Sequence, residues 1–572
     1  MSAFSDVWLS NEAGSLPVVR TGNQPWEYHG DKLWLSLPST GLSFLTYAVL
    51  GHYSLVLVGQ LYESISGEDI LKRCIKYITH PGNGFADPAG HYIMFVQDNE
   101  NKHTHVFTNR LGSYHAYWSG DRIISTRYLA LARAKVNKQL NWQGLSGFLA
   151  MGYFPADTTY LEGICIFEPA SHYHFNDELQ LVNKQRYWYW AYNPIVKPVE
   201  FYIEQLHSIL QGSLSVSTKD KRICVPISGG LDSRMVAGEL VSDKMIHTEL
   251  KSLSYGYTEN SKEIKIGRQV ADKLGIPAHA YVLPDYLFKQ LDEIIEAVEL
   301  FQYVDGTRQA SSVDWLKENT DVVVGGHWGD VWMDTPNISS ADELQNAFKQ
   351  KIVKKGSEWL LKNICKPHLD TAGDVPLDYF NKFEAEYDHI DDVDFKMKIY
   401  KTDHWSFRWT TASIRMYQAA NMPVLPFYDN RVVDLFTTIP QDMLSQRKLQ
   451  VAYIKQYYPS LAKITWQEYD ADLYNYKRFS NRNICYRVAD KIKRTISNIP
   501  TIQRNWEVFY MHPAGRKALE NILLNNKMLQ EIVPDSVVKE LINDLYKKPT
   551  AANGYTISML LTFTLFLNRV FA

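Results

Sequence analysis

Residues 225–234 read VPISGGLDSR: the end of an apolar run, then serine, two glycines, and a leucine–aspartate–serine that opens a helix. The run itself, RICVPI from Arg222 to Ile227, is short and apolar, as a strand covered on both faces should be. Small residues at Ser228, Gly229 and Gly230 let backbone amides approach a ligand closely. The helix that follows turns its positive end toward the same spot. Such a turn holds an anion, phosphate foremost. Its spacing is not Gly-x-x-x-x-Gly-Lys-Ser/Thr, so the loop that grips β and γ phosphates with a lysine is absent and a different nucleotide chemistry is implied. Asp232 and Ser233 also stand where residues cap a helix, which is the alternative reading of both.

Downstream of this turn, strands and helices alternate. HTELKSLSY (247–255) leads to a helix over 261–275, AHAYVL (278–283) to a helix over 285–300, and TDVVVGG (320–326) to a second glycine turn. Alternation of this kind implies right-handed crossovers and a parallel sheet, whose ligands bind at the carboxyl ends of the strands. Beyond about residue 340 the chain reads as mostly helical. Upstream, between about 30 and 190, β-branched and aromatic runs such as HYSLVLVGQLY, GHYIMFVQD, THVFTNR and RIISTRYLA recur between turn signals, interrupted by a helical segment from Gly67 to Ile78. That is the pattern of layered antiparallel sheets. The proline-marked NPIVKPVE (193–200) and a helix from about Glu200 to Ser217 separate the two patterns. We therefore expect an α+β domain over 1–192 and an α/β parallel-sheet domain with a helical C-terminal region over 200–572, in keeping with a chain too long for one core.

Composition narrows the function classes. The chain has 60 basic and 63 acidic residues, a net charge of -3, and so no general attraction to nucleic acid or anionic lipid. Its five cysteines, Cys74, Cys165, Cys224, Cys365 and Cys485, lie far apart without a CxxC spacing and read as reduced core residues. The opening MSAFSDVWLSNEAG lacks the basic start and apolar run of a secretory signal. The most apolar stretch, Ile557 to Leu567, is shorter than the ~20 residues of a membrane span and reads as a buried final helix. The expected compartment is the cytoplasm, with neither membrane nor nucleic acid as a partner.

SGGLDSR resembles the pyrophosphate-binding loop of N-type ATP pyrophosphatases, specifically the asparagine synthetase group, which cleaves ATP between the α and β phosphates. The resemblance implies ATP and Mg²⁺. It assigns Ile227, Ser228, Gly229, Gly230, Leu231 and Ser233 to the nucleotide's phosphates, and Asp232 to the metal as well. SLSYG (252–256) resembles the end of the family's second strand, which implies that the backbone beside Ser254 and Tyr255 meets adenine. VVVGGHWGD (322–330) resembles the family's second glycine turn, with Gly325 and Gly326 near the ribose and Asp330 as the second metal carboxylate. FQYVDGTRQASS (301–312) is similar to the family's helix entry beside the acceptor pocket, and LPFYD (425–429) to a core motif in which Pro426, Phe427 and Asp429 pack and cap. The family's turn carries glutamate where this chain has His327, a candidate general base because an unperturbed imidazole titrates near 6.5. Where the family has a lysine that neutralises pyrophosphate, this chain has Gln467, with Lys463, Lys477 and Arg478 nearby.

The first half follows in order the signposts of a class II glutamine amidotransferase domain, an Ntn-type sandwich of antiparallel sheets with helices. Its nucleophile there is an N-terminal cysteine, and this chain begins Met1-Ser2-Ala3. No glutaminase activity is therefore expected. Members of the superfamily without that cysteine include β-lactam synthetase and lasso-peptide cyclases. The implied reaction is attack of a carboxylate on ATP to give an acyl-adenylate and pyrophosphate, then attack by an amine or ammonia. A small metabolite, peptide or glycan acid all stay open as substrate, and a homodimer is compatible with the resemblance. Rival readings are another pyrophosphatase chemistry, such as tRNA thiolation, and a non-catalytic scaffold.

Overall fold

A computed structural model describes residues 6–10, 26–29, 33–37, 44–242, 245–477 and 504–571. Met1, Ser2, Ala3, Arg478 and Cys485 lie outside them. Among the described residues the first half contributes twelve strands: β1 (Asp6–Ser10), β2 (Trp26–His29), β3 (Leu33–Leu37), β4 (Leu45–Leu50), β5 (Tyr53–Leu61), β6 (Gly90–Asp98), β7 (His103–Thr108), β8 (Tyr117–Ser119), β9 (Ile123–Ser125), β10 (Ile164–Ile166), β11 (Ser171–Phe175) and β12 (Leu181–Arg186). They form two six-stranded sheets, β10-β8-β9-β1-β3-β2 and β12-β11-β7-β6-β5-β4. Every ladder between them is antiparallel.

The period of two in β5 explains how the second sheet is covered on both faces. Val56 and Val58 point into a core shared with Val7, Leu9 and Ile124 of the first sheet. Leu55 and Leu57 face Ile70, Leu71 and Cys74 of the helix Gly67–Thr79. That helix starts at Ser66, whose hydroxyl accepts the Asp69 amide, a side-chain cap of the usual kind. RIISTRYLA is strand only over β9, because Tyr128–Ala134 turns into a helix. Cys74, Cys224 and Cys365 are buried and unpaired as expected, whereas Cys165 is only half-buried.

After the helix Val199–Ser217, the second half builds one parallel sheet from β13 (Arg222–Pro226), β14 (Glu249–Gly256), β15 (Ala278–Val282), β16 (Val322–Val324) and β17 (Met422–Val424). Its order is β15-β14-β13-β16-β17, and all four ladders are parallel. The chain moves outward from β13 through β14 to β15, then returns to β16 on the other side. The strand order thus reverses between β13 and β16, and a crevice opens there beyond their carboxyl ends. Two expectations change. The helix expected over 285–300 is Leu291–Val298, because Tyr286 and Leu287 are buried within a preceding turn. β17, ahead of LPFYD, has only three residues, too few to show a period, and lies in the region read as helical.

The last helix, Ala551–Val570, is buried along most of its length, and Phe566 stacks on Tyr160 of the first half at 3.9 Å. Among the described residues no helix is long and apolar enough to cross a membrane. The two halves also meet through polar contacts: Arg110 pairs with buried Asp87 at 2.8 Å and with Asp434 at 2.5 Å, and Asn430 Nδ2 donates to Asp87 at 2.7 Å.

Candidate functional site

The crevice between β13 and β16 is a cleft of about 170 Å³ lined by Pro226, Ile227, Ser228, Asp232, Ser233, Tyr255, Glu263, Arg308, Gln309, Gly325, Gly326, His327 and Tyr417. β13 delivers the first turn. There Ser228 N donates to Ser233 Oγ at 3.1 Å and Gly230 N to Ser228 Oγ at 3.2 Å, so the loop curls around two hydroxyls. Neither Asp232 nor Ser233 caps the helix Asp232–Leu240, which has no side-chain cap, so the capping reading does not account for them. Arg234, fully buried, donates to the carbonyls of Leu461, Ile464 and Thr465 at 3.2, 2.9 and 2.8 Å. It ties the helix to the segment that carries Gln467.

β16 delivers the second turn. Trp328 holds φ at +76°, rare for a bulky residue, and is pinned by its indole N–H on Thr402 Oγ1 at 3.1 Å. This turn lies hard against the first. A Cβ on Gly326 would come within 2.8 Å of Ser233 N, and one on Gly329 within 2.9 Å of Asp232 Cγ. Such closeness is why glycine stands at both places. It brings Asp330, exposed and free of any capping role, beside half-buried Asp232, which its backbone amide faces. Burial, then the Asp330 charge, pushes the Asp232 carboxyl up to about 7. A carboxyl whose proton affinity is raised by a neighbouring carboxylate suits a divalent cation. Among the described residues there is no group of three or more metal-binding side chains. A pair of carboxylates fits Mg²⁺, an ion that keeps water and takes phosphate oxygens for the rest of its shell.

Several expected residues are brought together without lining the cleft. Gly229 and Gly230 belong to the loop but lie off the cleft wall, and Leu231 is fully buried. Gln467 covers Gly229 so closely that a Cβ there would overlap its side chain, and its N–H donates to Gly229 O at 3.1 Å. Ser254 spends its hydroxyl on Ile227 O at 2.8 Å, while Tyr255 reaches the cleft with its OH on Ser312 Oγ at 2.7 Å. His327 lines the cleft, but burial lowers it to about 4, not the 6.5 of a free imidazole, and its Nδ1 has no partner. It is a neutral hydrogen-bonding group and a weak base.

Sequence reading missed Arg447 and Gln450. Gln450, fully buried, donates to Asp232 Oδ1 at 2.7 Å, and Arg447 lies 3.6 Å from the same oxygen and 3.7 Å from Asp334. Arg447 has φ at +56°, a second left-handed residue at the site. Lys463 and Lys477, by contrast, are exposed and do not line the cleft. Tyr417 lines the cleft beside Tyr255, whereas Tyr428 is fully buried and Trp405 and Trp409 are half-buried. Asp429 caps the helix Asn430–Phe436 and pairs with Arg431, so LPFYD serves packing and capping. No sequence signal marks Arg447, which sits in SQRKLQ more than 200 residues from Asp232.

Comparison with curated proteins gives no match. Among solved structures, the U34-tRNA thiolase NcsA from Methanococcus maripaludis, with its 4Fe-4S cluster, is 18% identical over 34% of this chain and 81% of that chain. Its TM-score of 0.19 is too low to carry an argument. Residues 206–331 match the asparagine synthase family model. That stretch holds β13 to β16, both glycine turns and both aspartates, and this part of the chain is asparagine synthetase-like.

Proposed function

We propose that the protein is an ATP-dependent, AMP-forming carbon–nitrogen ligase. It activates a carboxylate as an acyl-adenylate for attack by an amine or ammonia, with residues 200–572 as the synthetase unit. The observation that carries this reading is the pairing of Asp232 with Asp330 across two glycine turns, beside a serine-lined anion loop at the strand reversal. In the scheme a carboxylate oxygen bonds to the α-phosphorus as the bond to the β-phosphate's bridging oxygen breaks, and pyrophosphate leaves with the electron pair. The nitrogen nucleophile then attacks the acyl carbon, AMP departs, and the nitrogen loses a proton. Asp232 and Asp330 would hold Mg²⁺, which neutralises phosphate charge when bound. Ser228 and Ser233 present hydroxyls to the phosphates, and Arg447 supplies the cation that Gln467 does not. Holding these groups fixed before the reaction is the main catalytic device.

Residues 1–192 are, in this reading, an amidotransferase-like sandwich without glutaminase activity. The test is a product assay with Mg²⁺-ATP, a panel of carboxylates, and glutamine or ammonium. AMP and pyrophosphate that require an acid, disappear in Asp232→Ala, and form amide with ammonium but not glutamine support the scheme. ADP and phosphate as products would overturn it.

A further inference from the structure

A second cavity, of about 280 Å³, adjoins the cleft and is near the lower end of the roughly 300–1,000 Å³ typical of small-molecule pockets. Arg308 lines both, so one end of a ligand seated in the second cavity meets the nucleotide cleft. The walls are aromatic: Tyr257, Tyr303, Trp506 and Tyr555. Two of these rings are tethered, Tyr257 OH donating to Asn505 Oδ1 at 2.8 Å and Tyr555 OH to Leu149 O at 3.1 Å. One wall is polar. Ser558 lines the cavity with Asp305 and Tyr510 beside it, all three at most 2% exposed. Asp305, Ser558 and Tyr510 face one another, but Asp305 Oδ1, Ser558 Oγ and Tyr510 OH make no close hydrogen bond. A buried carboxylate held only by loose contacts to two hydroxyls marks a spot that a cationic donor would stabilise. Burial also pushes the Asp305 carboxyl up to about 6, a penalty that an adjacent ammonium would relieve.

Resting on the ligase reading above, we propose that the acid activated here is an amino acid with an aromatic side chain. Its carboxylate lies at Arg308, its ring among Tyr257, Tyr303, Trp506 and Tyr555, and its ammonium on Ser558 and Asp305. Activation joins that carboxylate oxygen to the α-phosphorus and releases pyrophosphate. The ammonium keeps its proton on Asp305 throughout, so it does not attack its own adenylate, and the nucleophile comes from a second molecule.

The test is equilibrium binding to the full chain with Mg²⁺-ATP present, followed by calorimetry and tryptophan fluorescence. Three probes separate the contacts: L-phenylalanine, 3-phenylpropanoate, which lacks the ammonium, and L-alanine, which lacks the ring. L-Phenylalanine is expected to bind at least tenfold tighter than either. Asp305→Asn should erase its advantage over 3-phenylpropanoate and leave ATP affinity unchanged. Should Asp305→Asn not fold, Ser558→Ala is expected to shrink the same advantage severalfold. Trp506→Leu should shrink the advantage over L-alanine. Normal ATP binding with no preference among the three probes overturns this inference and leaves the ligase reading standing. Failure of ATP itself to bind overturns the ligase reading.

Discussion

The two halves of the chain are built on sheets of similar size, six and six strands against five, but they place their polar side chains differently. In the antiparallel half, polar groups near the core turn on one another. His105 Nδ1 meets His172 Nε2 at 3.0 Å, His103 meets His174 at 3.0 Å, and His91 meets Ser113 Oγ at 2.8 Å. Arg110 is used up on Asp87 and Asp434. In the parallel half, the strand reversal leaves a carboxylate exposed at Asp330, a second one strained by burial at Asp232, and Nδ1 of His327 unpartnered. Buried polar atoms without a partner occur in the first half too, His91 Nε2 and Gln60 Oε1 among them, but there they lie apart in the core, whereas His327 Nδ1 stands at a cleft beside the Asp232–Asp330 pair. That contrast supports placing the chemistry in the second half alone.

The contrast breaks first at the aspartates. Asp232→Ala and Asp330→Ala should each lower acid-dependent AMP formation by about a thousandfold, the scale of removing a charge-stabilising group from a site, with little change in the melting temperature. A variant that retains activity would move the site elsewhere. Arg110→Ala should do the reverse. It leaves buried Asp87 without its partner and should destabilise the fold by roughly 3–5 kcal/mol in a denaturant titration, while ATP affinity per folded molecule stays the same. If ATP binding falls instead, the first half is more than a buttress.

Gly229→Ala sharpens the contrast within the second half. The added methyl must displace Gln467, and since overpacking costs about 1–3 kcal/mol, ATP should bind some tenfold more weakly. Gln467→Ala in the same chain should recover most of that affinity, because the clash is with that side chain. The effect that is smallest at neutral pH is a pH dependence from the first half. Burial lowers His91, His105 and His172 to about 3 in the fold, against 6.5 unfolded. The unfolded chain therefore binds more protons between those values, so stability is complete above pH 6.5 and is lost as pH falls toward 3. Each such group contributes about 1.4 kcal/mol per pH unit inside that window. His105→Gln should flatten the melting-temperature profile below pH 6 without altering it above pH 7.

The strands β5, β6 and β7, the alternation around β13 to β16 and the glycine turn at 228–230 were all legible in the sequence, because each rests on local periodicity or local sterics. Asp232 and Asp330 were legible for the same reason: each follows an apolar strand and a pair of glycines. Arg447 and Gln450 were not, since nothing in SQRKLQ differs from an ordinary surface turn until the helix behind it docks on Asp232. His327 was identified by type but misjudged in strength, because only the packed cleft removes the water that sets its proton affinity. By itself the sequence determined two sheet types and the place of the glycine turn between β13 and the helix that follows it. The tertiary structure alone decided that β16 lies beside β13, so that residues 98 positions apart form one carboxylate pair, because strand order is set by long-range packing and leaves no local trace.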